Sequence, residues 1–396
     1  MSAMPGNERG KLSGRRIAVV SRIYYPEPAA ASYRLRALAS ELAAGGASVD
    51  VLTTRSPAGF DDAMASIDGV SVRRWRVLRD SAGYVRGFVQ YLSFDIPLFF
   101  RLLFMRRPDL VVVEPPPTTG WFSRIACAIR GIPYIYYGAD IWSDAVGSAG
   151  YPRYVATILR RVERWAMAGA ASVVSVSAEF TARIREQFPQ AQVDTVGNGV
   201  DVEMFSPHGD RIDRGVPYLL YAGTASEVHG AQIFVDAFED ALRLNPGTKL
   251  VFIGQGSDFA TIQARTSHFP TETVEIHPRM SPEEVAAWIR GATATLASVH
   301  PDGYSRAFPT KMYASLACGT RVIYAGTGPG AEFAARDGFG HAVAYESNEI
   351  ATAMTAALRA SDSPQQRAAR SEWAEKNISL RAVASRIVDV AARTIK

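Results

Sequence analysis

The chain has 396 residues, of which 47% are hydrophobic and 21% are charged, with a formal net charge of +4. This composition predicts a soluble globular protein long enough for two domains, and no apolar run reaches the roughly 18 charge-free residues of a membrane span. Residues 1–14 lack the apolar core of a signal peptide, so we expect a cytoplasmic protein. Cys127 and Cys318 stand in apolar or small-residue segments without a Cys-x-x-Cys motif, which argues against a disulfide framework or a metal site.

The first half of the chain alternates strand-length apolar runs with helical patterns. We predict a disordered tail at 1–14 and a domain at 15–205. Its first helix spans 33–44, and its strands span 16–20, 49–53, 109–113, 133–137 and 172–176. This alternation is typical of a parallel sheet with crossover helices and predicts one doubly wound, Rossmann-like α/β domain.

A second series of the same kind follows the polar segment 207–210. It predicts a domain at 206–379 and a last helix, 380–396, that docks back on the first domain. The predicted strands are 218–223, 249–253, 274–277, 294–296 and 321–325, and the helices are 230–244, 281–290 and 309–318. Ligands of such sheets bind beyond the carboxyl ends of the strands, so two facing domains predict a substrate cleft between them.

Pro309, Thr310 and Lys311 open a predicted helix that ends at Gly319. Proline is favoured in a first helical turn and glycine just after a last one. The unpaired N–H groups and the dipole of a helix start attract anions, and Lys311 adds a full positive charge, so a phosphate would fit there. A solvated lysine at a helix start is the alternative, although lysine is scarce in this arginine-rich chain.

Two glycine-containing loops follow strands of the second domain. Gly223 and Thr224 end the first strand, and His229 follows before a helix, which places a hydroxyl and an imidazole where an anion could be held. Gly254 and Gly256 after the next strand would let a ligand approach the backbone. Tight strand-to-helix turns use glycine more often for geometry alone, and both interpretations stay open.

Two further loops have a functional and a structural interpretation. Arg279 and Met280 come after the third strand and could read the edge of a nucleobase, whereas Ser281 is also a good helix N-cap. The glycine-rich loop 326–330 resembles a phosphate cradle, but Pro329 removes a donor, which favours a turn.

Asp140 directly follows the strand 133–137 in the first domain. Its carboxylate could orient an acceptor hydroxyl or take its proton, or it could cap a helix beside Trp142. The chain has no Asp-x-Asp triplet, the common clamp for a divalent metal, so we expect no metal. The charge of a diphosphate would then be met by helix dipoles, Lys311 and other cations.

The segment 84–107 is both aromatic and basic, and Pro97 interrupts it. It predicts either contact with a membrane surface or an apolar face that belongs to the core. Nucleic acid is not an expected partner, because the arginines are dispersed and no nucleic-acid motif accompanies them.

Several motifs resemble those of the bacterial retaining glycosyltransferases of family 4, which have the GT-B architecture of two facing Rossmann-like domains. The markers are 197–201 (Gly-Asn-Gly-Val-Asp) with Phe205, 221–224 (Tyr-Ala-Gly-Thr) with His229 and Gly230, and 308–313 (Phe-Pro-Thr-Lys-Met-Tyr) with 316–319 (Leu-Ala-Cys-Gly). The segment 140–144 is similar to a motif of a subgroup resembling N-acetylfucosamine transferases of surface-polysaccharide assembly.

The resemblance implies that the second domain binds a nucleotide-diphosphate sugar of the UDP or GDP type and that the first domain presents the acceptor. The donor-binding residues would be Gly223, Thr224, His229, Gly254, Gly256, Arg279, Met280, Pro309, Thr310 and Lys311. The acceptor side would include Asp140, Trp142 and Asn198, with Asp140 and Lys311 as the catalytic residues. Similar enzymes retain the anomeric configuration, and the scheme requires no metal or cofactor.

Many family members carry two glutamates eight positions apart around the donor helix, where this chain has Arg306 and Ala314. The leading hypothesis is a hexosyl- or N-acetylhexosaminyl-type transferase (EC 2.4). It would act on a lipid-linked or other glycan in bacterial polysaccharide or glycoconjugate biosynthesis, at the inner face of the membrane. The alternatives are a catalytically silent homologue in a biosynthetic complex, a natural-product glycosyltransferase and a GT-B sugar-nucleotide epimerase.

Overall fold

The computed structural model describes residues 10–27, 29–57, 59–62, 66–80, 83–85, 87–139, 141–143, 153–270, 272–301 and 308–396. The chain forms two compact units. The first contains the chain up to Gly199 together with Leu380–Lys396, and the second is Val200–Ser379.

Within the described residues, the first unit has one sheet of seven parallel strands. In chain order they are β1 (Arg16–Val20), β2 (Ser48–Thr54), β3 (Val70–Trp75), β4 (Leu110–Val113), β5 (Tyr134–Gly138), β6 (Ser172–Ser175) and β7 (Val193–Thr195). The spatial order is β3-β2-β1-β4-β5-β6-β7, and Ile17 of β1 pairs with Val49 on one side and Leu110 on the other. The strand order therefore reverses between β1 and β4, as in a Rossmann fold.

Both faces of this sheet are covered by helices. They are α1 (Ala30–Ala44), α2 (Phe88–Phe104), α3 (Pro117–Arg130), α4 (Arg153–Ala168), α5 (Ala178–Gln187) and the C-terminal helix Leu380–Thr394. Ile17 and Val19 point into a core shared with α1 and the C-terminal helix, whereas Ala18 and Val20 point into a core shared with α2, α3 and α4. A strand buried on both faces needs an unbroken apolar run, which β1 has.

The C-terminal helix belongs to the first unit. Lys11 donates to Asp389 at 2.8 Å, the Arg386 guanidinium donates to the Val196 carbonyl at 2.6 Å, and Val383 lies in the α1 core. Residues 10–14, assigned from the sequence to a disordered tail, instead form a turn, because Leu12 is buried and donates its N–H to the Gly45 carbonyl. The division at Gly199 falls earlier than the predicted boundary at 205.

The second unit repeats the architecture with six parallel strands among its described residues. They are β8 (Tyr218–Thr224), β9 (Lys249–Gln255), β10 (Val274–Pro278), β11 (Ala294–Ser298), β12 (Val322–Ala325) and β13 (Gly340–Val343), in the spatial order β10-β9-β8-β11-β12-β13. The helices are α6 (Ile233–Leu244), α7 (Phe259–Arg265), α8 (Pro282–Gly291), α9 (Lys311–Ala317), α10 (Pro329–Ala334), α11 (Ser347–Arg359) and α12 (Pro364–Ile378). The order again reverses beside the first strand, between β8 and β11.

The prediction of two Rossmann-like parallel sheets is confirmed, and the sequence reading missed the strands β3, β7 and β13. β3 alternates exposed and half-buried positions at a sheet edge, β7 has three residues, and β13 is half-buried throughout. None of them has the buried apolar run that identifies the central strands.

Cys127 and Cys318 are buried free thiols, and burial raises the pKa of each to about 12, which agrees with inert core residues. Throughout the part of the chain that the structure describes, no helix is both long enough and apolar enough to cross a bilayer.

Candidate active site

A cavity of about 300 Å³ lies at the carboxyl ends of the strands of the second unit, beside the reversal of strand order. Gly223 at the end of β8, Gly254 on β9, Arg279 and Met280 after β10, and Lys311 at the start of α9 all line it. Five of the residues predicted to bind the donor therefore lie around one cavity. This is the place where doubly wound sheets bind ligands.

Lys311 is the first residue of α9, so the predicted helix begins later than Pro309, and Thr310 is the residue before it. Its Nζ lies 3.7 Å from the centroid of the Tyr221 ring and donates to the Thr224 carbonyl oxygen at 3.3 Å. Although the residue is partly exposed, its ammonium lies against protein, and this burial lowers the pKa of Lys311 to about 7. Gly319 ends the segment with a φ of +76°, as its sequence position predicted.

His229 lies in a turn before α6 rather than in the helix itself. The N–H groups of His229 and Gly230 both donate to the Ser226 carbonyl, at 2.7 and 3.0 Å, and the His229 Nδ1 lies 2.9 Å from the Ser226 hydroxyl. Burial, and secondarily the charge of Lys311, lower the pKa of His229 to about 4, while Asp258 acts in the opposite direction. At neutral pH the imidazole is therefore an uncharged hydrogen-bonding group.

The glycines at the end of β9 satisfy a steric requirement. A Cβ atom on Gly254 would lie 2.0 Å from the Gly223 carbonyl oxygen, and one on Gly256 would lie 1.9 Å from the Ala225 carbonyl oxygen. The geometric interpretation of these glycines is thus correct at both positions. Gly254 also lines the cavity, whereas Gly256 is not among the lining residues.

The other two predicted loops also have structural roles. Ser281 caps α8 through a capping box with Glu284, while Arg279 and Met280 before it line the cavity. Pro329 is the first residue of α10, so the loop 326–330 is a turn into a helix.

The α9 side of the cavity carries small side chains. Ala314 and Ser315 line it, and the Ser315 hydroxyl accepts from Thr295 at 2.7 Å and donates to the Lys311 carbonyl at 3.1 Å. No carboxylate belongs to the described lining residues, and Arg306 lies outside the residues that the structure describes.

In the first unit, Asp140 and Asp144 lie outside the described residues. Trp142 donates its backbone N–H to Glu163 at 2.8 Å, and its ring lies 6.0 Å from the ring of Tyr91. The Arg22 guanidinium lies 4.7 Å from the Tyr91 ring and 5.4 Å from the Trp142 ring, so the tryptophan belongs to a cationic–aromatic cluster.

Asn198 accepts the Gly199 N–H through its side-chain oxygen at 3.0 Å and thereby closes its own turn. Among the residues that the structure describes, no group of three or more histidine, cysteine, aspartate or glutamate side chains could hold a metal ion.

Two family descriptions match the chain, one in its first half and one in its second half. Residues 30–199 match the Glycosyl transferase 4-like domain, and residues 205–377 match Glycosyl transferases group 1. The chain carries two glycosyltransferase domains. The cavity around Lys311 lies in the group 1 domain.

Sequence relatives of these glycosyltransferase domains include the D-inositol 3-phosphate glycosyltransferase of Frankia alni. It is 25% identical over 245 residues, which are 55% of this chain and 58% of the relative. A protein of the same name from Segniliparus rotundus is 26% identical over 150 residues, 35% of this chain and 32% of the relative. The chain therefore spans only part of the length of the curated relatives that it matches.

Solved structures resemble this chain over nearly its whole length. Sucrose-phosphate synthase from Thermosynechococcus elongatus has a TM-score of 0.67 at 16% identity, covering 96% of this chain and 98% of that one. HepE from Anabaena, in complex with UDP-glucose, has a TM-score of 0.60 at 14% identity, covering 96% and 100%. A glycosyltransferase from Rickettsia africae reaches 0.68 at 12% identity, covering 96% and 99%. At these identities the likeness establishes the fold, which is GT-B.

The sequence assigned no role at the site to Ser226 or Asp258, and none to Tyr221 although the marker 221–224 begins with it. Tyr221 reads as an ordinary strand residue, yet its ring faces the Lys311 ammonium. Its position two residues before Gly223 is the signal that sequence reasoning could have used, because it places the ring near the strand's carboxyl end.

Proposed function

We propose that the protein is a retaining glycosyltransferase that moves a sugar from a nucleotide-diphosphate donor to a lipid-linked or other glycan acceptor. The observation that carries the proposal is the position of the Lys311 ammonium at the wall of a cavity in a group 1 glycosyltransferase domain. Gly223 and Arg279 line the same cavity, which supports a site for a phosphorylated nucleotide. The complex of HepE with UDP-glucose supports this class of donor.

The donor-side residues have distinct roles in this proposal. Lys311 pairs with the diphosphate, while the Thr224 hydroxyl and the neutral His229 imidazole donate hydrogen bonds to its oxygens. Arg279 and Met280 contact the base, since an apolar thioether beside a guanidinium offers both packing and hydrogen bonds. Pro309 and Thr310 orient the start of α9.

The proposed chemistry is a same-face substitution at the anomeric carbon. The bond from that carbon to the phosphate oxygen breaks as the bond to the acceptor oxygen forms on the same face, and the departing phosphate accepts the acceptor's proton. Lys311 stabilises the negative charge that grows on the phosphate, which is electrostatic catalysis without a metal. Asp140, Trp142 and Asn198 would orient the acceptor from the first domain.

A panel of nucleotide sugars tests the proposal directly. Purified protein is incubated with UDP- and GDP-linked hexoses and N-acetylated deoxyhexoses, with lipid-linked glycans, inositol 3-phosphate or natural-product aglycones as acceptors, and nucleotide release is followed. Lys311→Ala is expected to abolish transfer, while Lys376→Ala, which changes an exposed lysine on α12, retains it. Full activity of Lys311→Ala would refute the donor-site assignment. NMR of the product decides retention of the anomeric configuration.

A second candidate is a catalytically silent homologue that serves as a partner in a biosynthetic complex. The observation in its favour is Ala314, which lines the cavity at a position where many family members carry a glutamate. Calorimetry separates the two candidates: donor binding accompanied by turnover excludes the silent homologue, and donor binding without turnover on any acceptor excludes the enzyme. Release of an epimerised donor in the absence of acceptor would instead indicate an epimerase.

We further propose that the protein works at the inner face of the cell membrane and contacts an anionic bilayer through residues 84–107. Phe94, Leu98 and Leu102 of α2 are buried in the core, so the apolar pattern of this segment is partly structural. Phe88 and Phe104 are 67% and 82% exposed. Exposed aromatic rings beside arginines are suited to the interface of an anionic bilayer.

A further inference from the structure

Tyr221 is a rigidly packed residue whose ring and hydroxyl lie beside the Lys311 side chain. The tyrosine is fully buried in β8, and its ring lies 6.1 Å from that of Phe234 and 5.7 Å from that of Phe252, so neighbouring rings hold it in place. Its hydroxyl donates to the Thr224 carbonyl oxygen at 2.8 Å. The Lys311 ammonium donates to the same oxygen and lies 3.7 Å from the ring centroid.

We propose that Tyr221 is a positioning residue that holds the Lys311 side chain in a poorly hydrated place, so that binding of the nucleotide sugar takes up a proton at this lysine. The inference rests on the proposed function. Tyr221 acts through Lys311 and touches no substrate. The proton comes from solvent and joins Nζ, and no bond of the donor forms or breaks in this step.

The electrostatic surroundings of Lys311 support proton uptake. Burial lowers its pKa to about 7, so at pH 8 most molecules of the free protein carry an uncharged Nζ. His229 is neutral at this pH, Asp258 acts on both His229 and Tyr221, and Tyr345 acts on Tyr221. Arg279, which lines the same cavity, adds positive charge. A diphosphate brings negative charge next to Nζ and therefore favours its protonated form.

The ring and the hydroxyl of Tyr221 make separable contributions. Tyr221→Phe keeps the ring face under the ammonium and removes only the hydroxyl. Tyr221→Leu removes the ring and leaves space beside Nζ that water can fill. The ring face attracts the charged ammonium, but this attraction is smaller than the effect of burial, which brings the pKa of Lys311 down to about 7. Hydration of Nζ in Tyr221→Leu should therefore outweigh the lost ring contact. We expect the pKa of Lys311 to rise in the leucine variant and to stay near 7 in the phenylalanine variant.

Lysine NMR tests the positioning role without any ligand. The chain has five lysines, so selective 13C labelling at Cε gives a spectrum simple enough to assign with Lys311→Met. The Lys311 signal is expected to titrate near pH 7 in the unaltered protein and in Tyr221→Phe, and two or more pH units higher in Tyr221→Leu. A Lys311 midpoint near pH 10, or one that Tyr221→Leu leaves unchanged, overturns the proposal.

Phe252→Leu is the matched control for loss of an aromatic ring from the same core. Phe252 lies on β9 and packs against Tyr221. Its replacement by leucine removes a ring from the same core but keeps the ring that faces Lys311. Thermal unfolding verifies that each variant is folded. The Lys311 midpoint is expected to stay near pH 7 in this control. A shift as large as that of Tyr221→Leu would mean that any loss of packing in this core changes the pKa of Lys311, and that Tyr221 has no specific role.

Calorimetry in buffers of different ionisation enthalpy measures the proton uptake itself. Titration of UDP-glucose and GDP-mannose at pH 8 is expected to show uptake close to one proton per bound nucleotide sugar in the unaltered protein and in Tyr221→Phe. Uptake should be near zero in Tyr221→Leu, whose Lys311 is already protonated at pH 8, and near zero in Lys311→Met. Binding without proton uptake in the unaltered protein overturns this inference and leaves the proposed function intact. Absence of binding of either nucleotide sugar counts against the proposed function, while the NMR titration still decides whether Tyr221 positions Lys311.

Discussion

His229 and Lys311 are electrostatically coupled near the carboxyl end of β8, although His229 lies in the turn before α6 and Lys311 begins α9. The positive charge of the lysine is the second cause, after burial, of the fall in the pKa of His229 to about 4. Between about pH 4 and pH 7, Lys311 is therefore the charged member of the pair and His229 the neutral one.

This coupling predicts that Lys311→Met raises the pKa of His229 from about 4 toward 6.5, because one of the two causes of its lowering is removed. The measurement is a pH titration of the His229 imidazole signals by NMR. Lys376→Met is the control, since it removes an exposed lysine far along the chain and should leave the His229 midpoint unchanged. An identical His229 midpoint in Lys311→Met would show that burial alone lowers this pKa.

Lys311 is expected to cost stability. An unfolded lysine keeps its proton up to about pH 10.5, whereas folded Lys311 releases it near pH 7, so between these values the unfolded state binds more protons and the free energy of unfolding rises with pH. Lys311→Met should therefore be more stable than the unaltered protein at pH 7, by about 1–3 kcal/mol after allowance for partial exposure. The gain should disappear near pH 10. Urea unfolding at several pH values measures it, and a destabilised Lys311→Met at pH 7 would contradict the prediction.

Gly254→Ala is expected to destabilise the second domain by about 3–5 kcal/mol, because its Cβ would lie 2.0 Å from the Gly223 carbonyl oxygen and the two strands cannot separate without losing their pairing. Gly247→Ala is the matched control. Gly247 also has a positive φ, +86°, but a Cβ there meets no atom within 4 Å, so only backbone strain of about 1–2 kcal/mol remains. Equal unfolding midpoints for the two variants would rule out the steric explanation.

Simultaneous replacement of Phe88, Phe100 and Phe104 by glutamine is expected to weaken binding to anionic vesicles roughly tenfold or more, since the three exposed rings lose their apolar contact with lipid. Sedimentation with vesicles of phosphatidylglycerol measures the effect. Leu244→Gln, which changes an exposed apolar residue of the second domain, is the control. Vesicle binding that the triple replacement does not alter would assign the contact to another surface.

The arginines of the same segment require more selective substitution. Arg101 donates to the Arg73 carbonyl at 2.8 Å, and Arg107 donates to the carbonyls of Arg130 and Gly131. Charge reversal there would disturb packing as well as membrane contact. Arg106 is exposed, so Arg106→Glu is the cleaner test, with a loss of binding that grows as the salt concentration falls.

Much of the fold was predictable because its central strands are buried on both faces. Strands β1, β4 and β8 carry unbroken apolar runs. A short apolar run bounded by turn residues is typical of a strand that is buried on both faces. Edge strands such as β3 lack this signal, since one side of the strand is solvated and arginine is tolerated there. The first residues of helices were predicted less accurately: the helix predicted to begin at Pro309 begins at Lys311. Capping residues define the start of a helix only to within a few positions.

The sequence by itself determined the two doubly wound sheets, the glycines near the carboxyl ends of β8 and β9, and the glycosyltransferase motifs, all of which depend on neighbours along the chain. Only the tertiary structure decided that the Tyr221 ring lies under the Lys311 ammonium, that His229 is neutral, and that Arg101 and Arg107 bind backbone carbonyls. The physical reason is that pKa values and cation–ring contacts depend on burial and on the distances between residues far apart in sequence, which local patterns do not encode.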